Sequence, residues 1–211
     1  MRITEPITLL TDYALGTWAL ALALRLFSAA ALGGQVTVRL WAFGFLMTAI
    51  AAFAGGTYHG FAQMLPPGAA RVCWKLTLVV TGVGSACLLG SAFLAAATGP
   101  LAWGLLALVI LKLLVYLEVV VARDHFLLVI ADYGSALLAI LVAAWFLAPT
   151  GLTPAAWWLA AGVGVSIVAG AIQAFGLAPH PRFNHNDLFH VVQMAALYCL
   201  YRGGLLLRDM T

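Results

Sequence analysis

The chain has 211 residues, of which 64% are hydrophobic and 8% charged, with a formal net charge of +3 and a mean hydropathy of +1.06. Soluble globular domains carry about 25% charged residues, so the composition excludes one, and the small, scattered positive charge offers no surface for nucleic acid. What remains is an all-α integral membrane protein, read as one membrane domain over residues 1–211.

A helix that crosses a bilayer needs about 20 mostly apolar residues, and that length measures out seven segments, at about 8–32, 39–65, 70–97, 101–122, 125–148, 155–177 and 185–207. The first, with Asp12 and Arg25 inside it, is too long for a cleaved signal peptide and reads as a retained span. The breaks are Gly33-Gly34-Gln35, Pro66-Pro67-Gly68, Gly99-Pro100, Arg123-Asp124, Pro149-Thr150-Gly151 and Pro179-His180-Pro181. Such short connections force successive helices to run antiparallel, which predicts a seven-transmembrane-helix up-and-down bundle. Thr153-Pro154 has the form of a helix start with proline in its first turn. Asn184 with Asp187 three residues later has the form of a capping box, which starts the seventh helix at about His185.

Basic residues near the helix ends set the expected orientation. Arg2, Arg71, Lys75, Arg123 and Arg182 fall on the side of the N-terminus, against Arg39, Arg202 and Arg208 on the other, so the N-terminus is expected in the cytoplasm and the C-terminus outside. Glycine pairs within spans, such as Gly82 with Gly84 and Gly162 with Gly164, read as close helix contacts. Trp41, Trp103, Trp145, Trp157 and Trp158 fall near span ends, as in interfacial belts. Cys73, Cys87 and Cys199 have no C-x-x-C spacing and read as small apolar thiols.

The alternation of helices assigns each polar residue to a side. Asp12, His59, Lys75, Thr77, Glu118, Asp132, His185, Asp187 and His190 all belong to the N-terminal side. Arg25, Gln173 and Lys112 are expected nearer the middle or far side, with Lys112 isolated. Taken singly each has an ordinary explanation: a packed histidine, a helix-end carboxylate, or, for Glu118 with Arg123 and Asp124, an interfacial ion cluster. Asp132 is the exception, because an isolated carboxylate in an apolar helix needs a partner. Tyr13, Tyr58 and Tyr133 adjoin these groups as interfacial side chains or hydrogen-bond donors.

The densest polar run is at the start of the seventh segment, from His185 to Gln193. At about 100° per residue, Asn186 lies about 40° from His190 and Asp187 about 60° to its other side, whereas His185 lies about 140° away and reaches that face only if the first turn departs from ideality. Imidazoles with a carboxylate and an open water position form the ligand set of a catalytic zinc site.

The seven segments, His59 near the end of the second, and the run Asn186-Asp187-Leu188-Phe189-His190-Val191 resemble the CREST superfamily. That superfamily includes the alkaline ceramidases and the progestin and adipoQ receptor (hemolysin-III-like) proteins. Its members have Ser-x-x-x-His on helix 2, Asp on helix 3 and His-x-x-x-His on helix 7, with three histidines holding zinc for hydrolysis of lipid amides. His59 and His190 match that pattern. Gly55 stands at the serine position, Asn186 at the first helix-7 histidine, and Thr77 where the aspartate is expected.

The resemblance implies a zinc-dependent membrane hydrolase of a lipid amide or ester. Its metal ligands would be His59 and His190 with His185 or Asp187; Asp12 or Asp132 would act as base or orient the metal water, and Thr57 would polarise the carbonyl. Tyr13, Tyr58, Asn186, Gln193 and Glu118 would complete the pocket. The alternative is a noncatalytic membrane protein that binds a lipid or small ligand in the same pocket; a proton-coupled carrier and bis-histidine haem ligation by His59 and His190 are further readings. The partner in the first two cases is a membrane lipid, and the sequence leaves the oligomeric state open.

Overall fold

The computed structural model describes residues 3–147 and 153–210. These form seven helices: α1 (Pro6–Gly33), α2 (Val36–Phe61), α3 (Pro67–Leu94), α4 (Gly99–Arg123), α5 (Phe126–Val142, continued by a π-helical turn at Ala143–Leu147), α6 (Thr153–Phe175) and α7 (His185–Gly204). Six of them, α1 to α6, are long and apolar enough to cross a membrane, as in a multi-pass membrane protein. Arg2, the Pro149-Thr150-Gly151 break and the last residue of the expected fifth segment lie outside the described residues.

Local chemistry fixes most boundaries. Proline at the first or second position starts α1, α3 and α4, where its missing N–H costs nothing. α3 therefore begins at Pro67, three residues before the expected start, because the proline pair opens the helix. Gly34, at φ 65°, ends α1 in the left-handed conformation that glycine adopts freely. The expected capping box forms: the Asn184 side chain accepts from Asn186 N at 2.8 Å and Asp187 N at 3.3 Å, and Asp187 Oδ2 accepts from Asn184 N at 2.8 Å.

The packing order departs from a simple sequential bundle. Contacts run α1 to α2, α2 to α3, α3 to α5, α5 to α6, α6 to α7 and α7 back to α1, closing a ring of six helices; α4 lies outside, against α3 and more sparsely α5. The physical reason is that α4 carries a long unbroken apolar stretch and gains nothing by leaving lipid, whose tails are as apolar as leucine. Leu108, Ile110, Leu111, Leu114 and Val115 are accordingly exposed on it.

Polar contacts hold α4 in place. Lys112, expected to be isolated, pairs with Asp132 of α5, whose other oxygen accepts from Ser85 of α3. Tyr116 donates to the Leu78 carbonyl at 2.8 Å, and its ring lies over Gly82, where a Cβ would collide with Tyr116 Cε1. Lys75 pairs with Asp124 at 2.8 Å.

The ring is solid in one half and hollow in the other. Leu22, Leu26, Trp41, Phe45, Leu159 and Leu200 fill the half away from the N-terminus, each at most 3% exposed. Trp41 is thus a core residue, donating to the Leu200 carbonyl at 3.2 Å, and not part of an interfacial belt. Trp103 and Trp157 are exposed as a belt requires.

Candidate functional site

In the half nearer the N-terminus the six helices enclose a cavity of about 500 Å³, within the range of small-molecule sites. Most of its wall is apolar, built from residues such as Leu15, Val129, Ile130, Leu137 and Phe189. Its polar lining includes Asp12 of α1, His59 of α2, Thr77 of α3, Tyr133 of α5, Ser166 and Gln173 of α6, and Asn186, His190 and Gln193 of α7.

The centre of the polar lining is a pair. His190 Nε2 lies 3.1 Å from Asp12 Oδ1, and both side chains are buried. The other ring nitrogen, Nδ1, lies 3.0 Å from Thr11 Oγ1. Thr11 has one hydroxyl hydrogen and two more acceptors in reach, Thr8 O at 3.1 Å and Asp187 Oδ1 at 3.5 Å. Both imidazole nitrogens are therefore engaged, and α7 is locked to the first turns of α1.

His59 lines the same cavity from α2; its Nδ1 approaches Glu5 Oε2 at 3.4 Å without hydrogen-bond geometry. Asn186 accepts from Gln173 Nε2 at 2.8 Å, and Gln193 donates to Ser166 Oγ at 3.4 Å, tying α7 to α6. Thr77 turns its hydroxyl to the Cys73 carbonyl at 3.0 Å. Gly55 stands opposite: a Cβ there would lie in ordinary van der Waals contact, 3.6 Å from Asp12 Oδ1 and 3.5 Å from Thr77 Cγ2.

Several expected site residues lie elsewhere. Asp187 is spent on the capping box and on Thr11 and does not line the cavity. His185 does not line it either, because the capping box enforces a regular first turn and His185 keeps its position about 140° from His190. Asp132 is taken by Lys112 and Ser85, on the side facing α4. Thr57 donates to the Phe53 carbonyl at 2.7 Å and meets Tyr13 Oη at 3.0 Å, so these two residues form an outer pair away from the cavity. Tyr58 stacks on Trp74 with ring centres 5.2 Å apart, outside the lining. Glu118 is exposed on α4, outside the ring, and pairs with neither Arg123 nor Asp124.

Gln173, Ser166, Thr48 and Thr81 also line the cavity, and sequence reasoning placed none of them there. α6 runs towards the N-terminal side and ends at Phe175, so Gln173 sits two residues from that end and not on the far side. Counting from the Pro149 break with the same alternation that placed Asp132 would have found it.

Among the described residues, no three His, Cys, Asp or Glu side chains converge to hold a metal ion. Among the described residues, Asp12, His59 and His190 are the only such residues on the cavity wall, and the nitrogen of His190 that faces Asp12 is already hydrogen-bonded to it. The arrangement as it stands does not fit a preformed three-ligand zinc centre.

Fold and cavity together define a helical protein of multi-pass membrane type with a largely apolar pocket, carrying a set of polar groups, inside a helix ring. Residues 7–209 match the model of a family of unknown function (DUF6962), and the chain belongs to that family. No curated protein and no solved structure matches it.

Proposed function

We propose that the protein is a seven-span membrane protein, N-terminus cytoplasmic, that binds an amphipathic molecule from the bilayer in its cavity. The apolar chain would lie along the Leu137, Val129 and Ile130 wall, and the polar head would meet Asp12, His59, His190 and Asn186. The observation that carries this reading is the division of one cavity, of about 500 Å³, into an apolar wall and a set of polar groups from six different helices. Buried polar groups cost free energy unless they find partners, and a ligand head supplies them. At 20 residues, α7 reaches about 30 Å, enough to cross with its polar start at the membrane edge. Lipid extraction and mass spectrometry of purified protein test the reading. A stoichiometric amphiphile is expected in the wild type and is lost when Gly55→Leu fills the space beside Asp12; purified folded protein with no bound or bindable amphiphile overturns it.

A second reading keeps the zinc-dependent hydrolysis of a lipid amide or ester. It is favoured by Gly55, His59, Thr77, Asn186 and His190 lining one cavity, at the positions the CREST resemblance singles out, with Asp12 beside them. Because the side chains as placed do not form a three-ligand site, no reaction step is assigned to a metal. Elemental analysis of wild type against a His59→Ala/His190→Ala double variant decides: one zinc per chain, lost in the variant, supports this reading, and metal-free folded wild type removes it.

A further inference from the structure

The hydrogen bonds the cavity leaves unmade describe what it is built to hold. Among the described residues, five buried side-chain polar atoms have no hydrogen-bond partner, and four belong to cavity-lining residues: Asp12 Oδ2, His59 Nδ1, Tyr133 Oη and Gln173 Oε1. Native interiors satisfy nearly all such atoms, so their concentration in one cavity points to groups awaiting a ligand. Asp12, at 4% exposure, is the most deeply buried of the four residues.

Three of the four share a chemical bias: a carboxylate oxygen and an amide oxygen only accept, and a tyrosine hydroxyl can accept as well, whereas His59 Nδ1 is turned to the Glu5 carboxylate. Gln173 Nε2 donates to Asn186 Oδ1, and Gln173 Oε1 is the oxygen left over. The complement is a head group rich in donors. No lysine or arginine among the described residues lines the cavity, so a carboxylate or phosphate head would find neither a positive charge nor a release for these acceptors. An alcohol brings one donor. An ammonium brings three and no acceptor.

We infer that the cavity is an amine site: its ligand is a long-chain amine whose nitrogen donates to Asp12 and Gln173 while the alkyl chain takes the apolar wall. This rests on the amphiphile-binding reading and specifies the head group. The test uses the full chain in detergent micelles, offered dodecylamine, dodecanol, dodecanoate and dodecyl phosphate separately at equal concentration, with retained probe counted by native mass spectrometry. The amine is expected to be retained about tenfold better than the alcohol, as for a hydrogen bond to a charged group, and the two anions least. Asp12→Asn should abolish the preference, and Asp209→Asn, which removes a carboxylate far from the cavity, should keep it. If Asp12→Asn does not fold, Gln173→Leu on α6 decides by the same ratio.

Equal retention of amine and alcohol, better retention of an anion, or a preference that survives Asp12→Asn overturns the amine assignment and leaves amphiphile binding standing. Retention of none of the four overturns both.

Discussion

Lys112 of α4 and Asp132 of α5 form an ion pair buried on the carboxylate side, with Ser85 of α3 completing the carboxylate's shell and the Asp132 carbonyl accepting from the same ammonium at 3.1 Å. It joins the one helix outside the ring to two helices of its wall. Removing one partner strands a charge in an apolar setting, which costs more than the pair contributes. Lys112→Met is expected to destabilise the protein by about 2–4 kcal/mol. The double variant Lys112→Met/Asp132→Leu should recover at least half of that loss; thermal unfolding in detergent measures both, and additive losses would show that the two residues act independently.

Asp209 caps a helix to which it is not adjacent. Its carboxylate accepts from Val36 N and Thr37 N, each at 2.8 Å, at the start of α2, and its own N–H donates to Gln35 Oε1 at 2.7 Å. Partial burial pushes this carboxyl up, but the Thr37 and Val36 amides outweigh burial and hold it below its ordinary value of 3.8. A carboxyl lowered by folding stabilises the native state fully above its unfolded pKa, and the contribution disappears as the pH falls through the folded value. Wild type is therefore expected to exceed Asp209→Ala in stability by about 1 kcal/mol at pH 6, typical of a helix cap. The gap should narrow below about pH 4. Melting temperatures of the two proteins from pH 6 to pH 3 check it, and a gap that widens on acidification would contradict the assignment.

The two helix-7 histidines are predicted to behave differently. His190→Ala removes the partner of both Asp12 and Thr11 and should lower amphiphile retention at least about tenfold, since it unlocks α7 from α1 at the cavity wall. His185→Ala should leave retention within about twofold, since His185 does not reach the cavity. Comparable losses in both would mean that the first turn of α7 rearranges on binding.

Gly82 tests the seat of α4. Gly82→Ala drives a methyl into the Tyr116 ring and should cost about 1–3 kcal/mol by overpacking. Gly164→Ala, where a Cβ meets nothing within 4 Å, should be neutral or slightly stabilising. Thermal unfolding of the pair provides the comparison.

The helices and the α7 cap were legible because apolar run length, proline, glycine and the Asn184–Asp187 spacing act locally. The exclusion of α4 from the ring was not, since it follows from which helix gains least by burial, a comparison across all seven. At the site, alternation of direction placed Asp12, His59 and His190 in one half of the bundle. It could not tell which carboxylate faces inward. Asp187 was claimed by its own helix start and Asp132 by Lys112, 20 positions away in sequence. Asp12 alone was left for the cavity.

The contrast between the solid half of the ring and the hollow half has a consequence for traffic. In a bilayer crossed by these helices, the Trp41–Leu200 contact and the leucines around it fill the depth away from the N-terminus, while the cavity reaches from the middle of the helices towards the N-terminal side. On the amphiphile-binding reading, a guest molecule would meet the solid half as a floor and exchange with the leaflet on the N-terminal side. The lipid composition of that single leaflet, and not of the membrane as a whole, would set how often the cavity is filled, and a guest could not cross from one face to the other without melting the core.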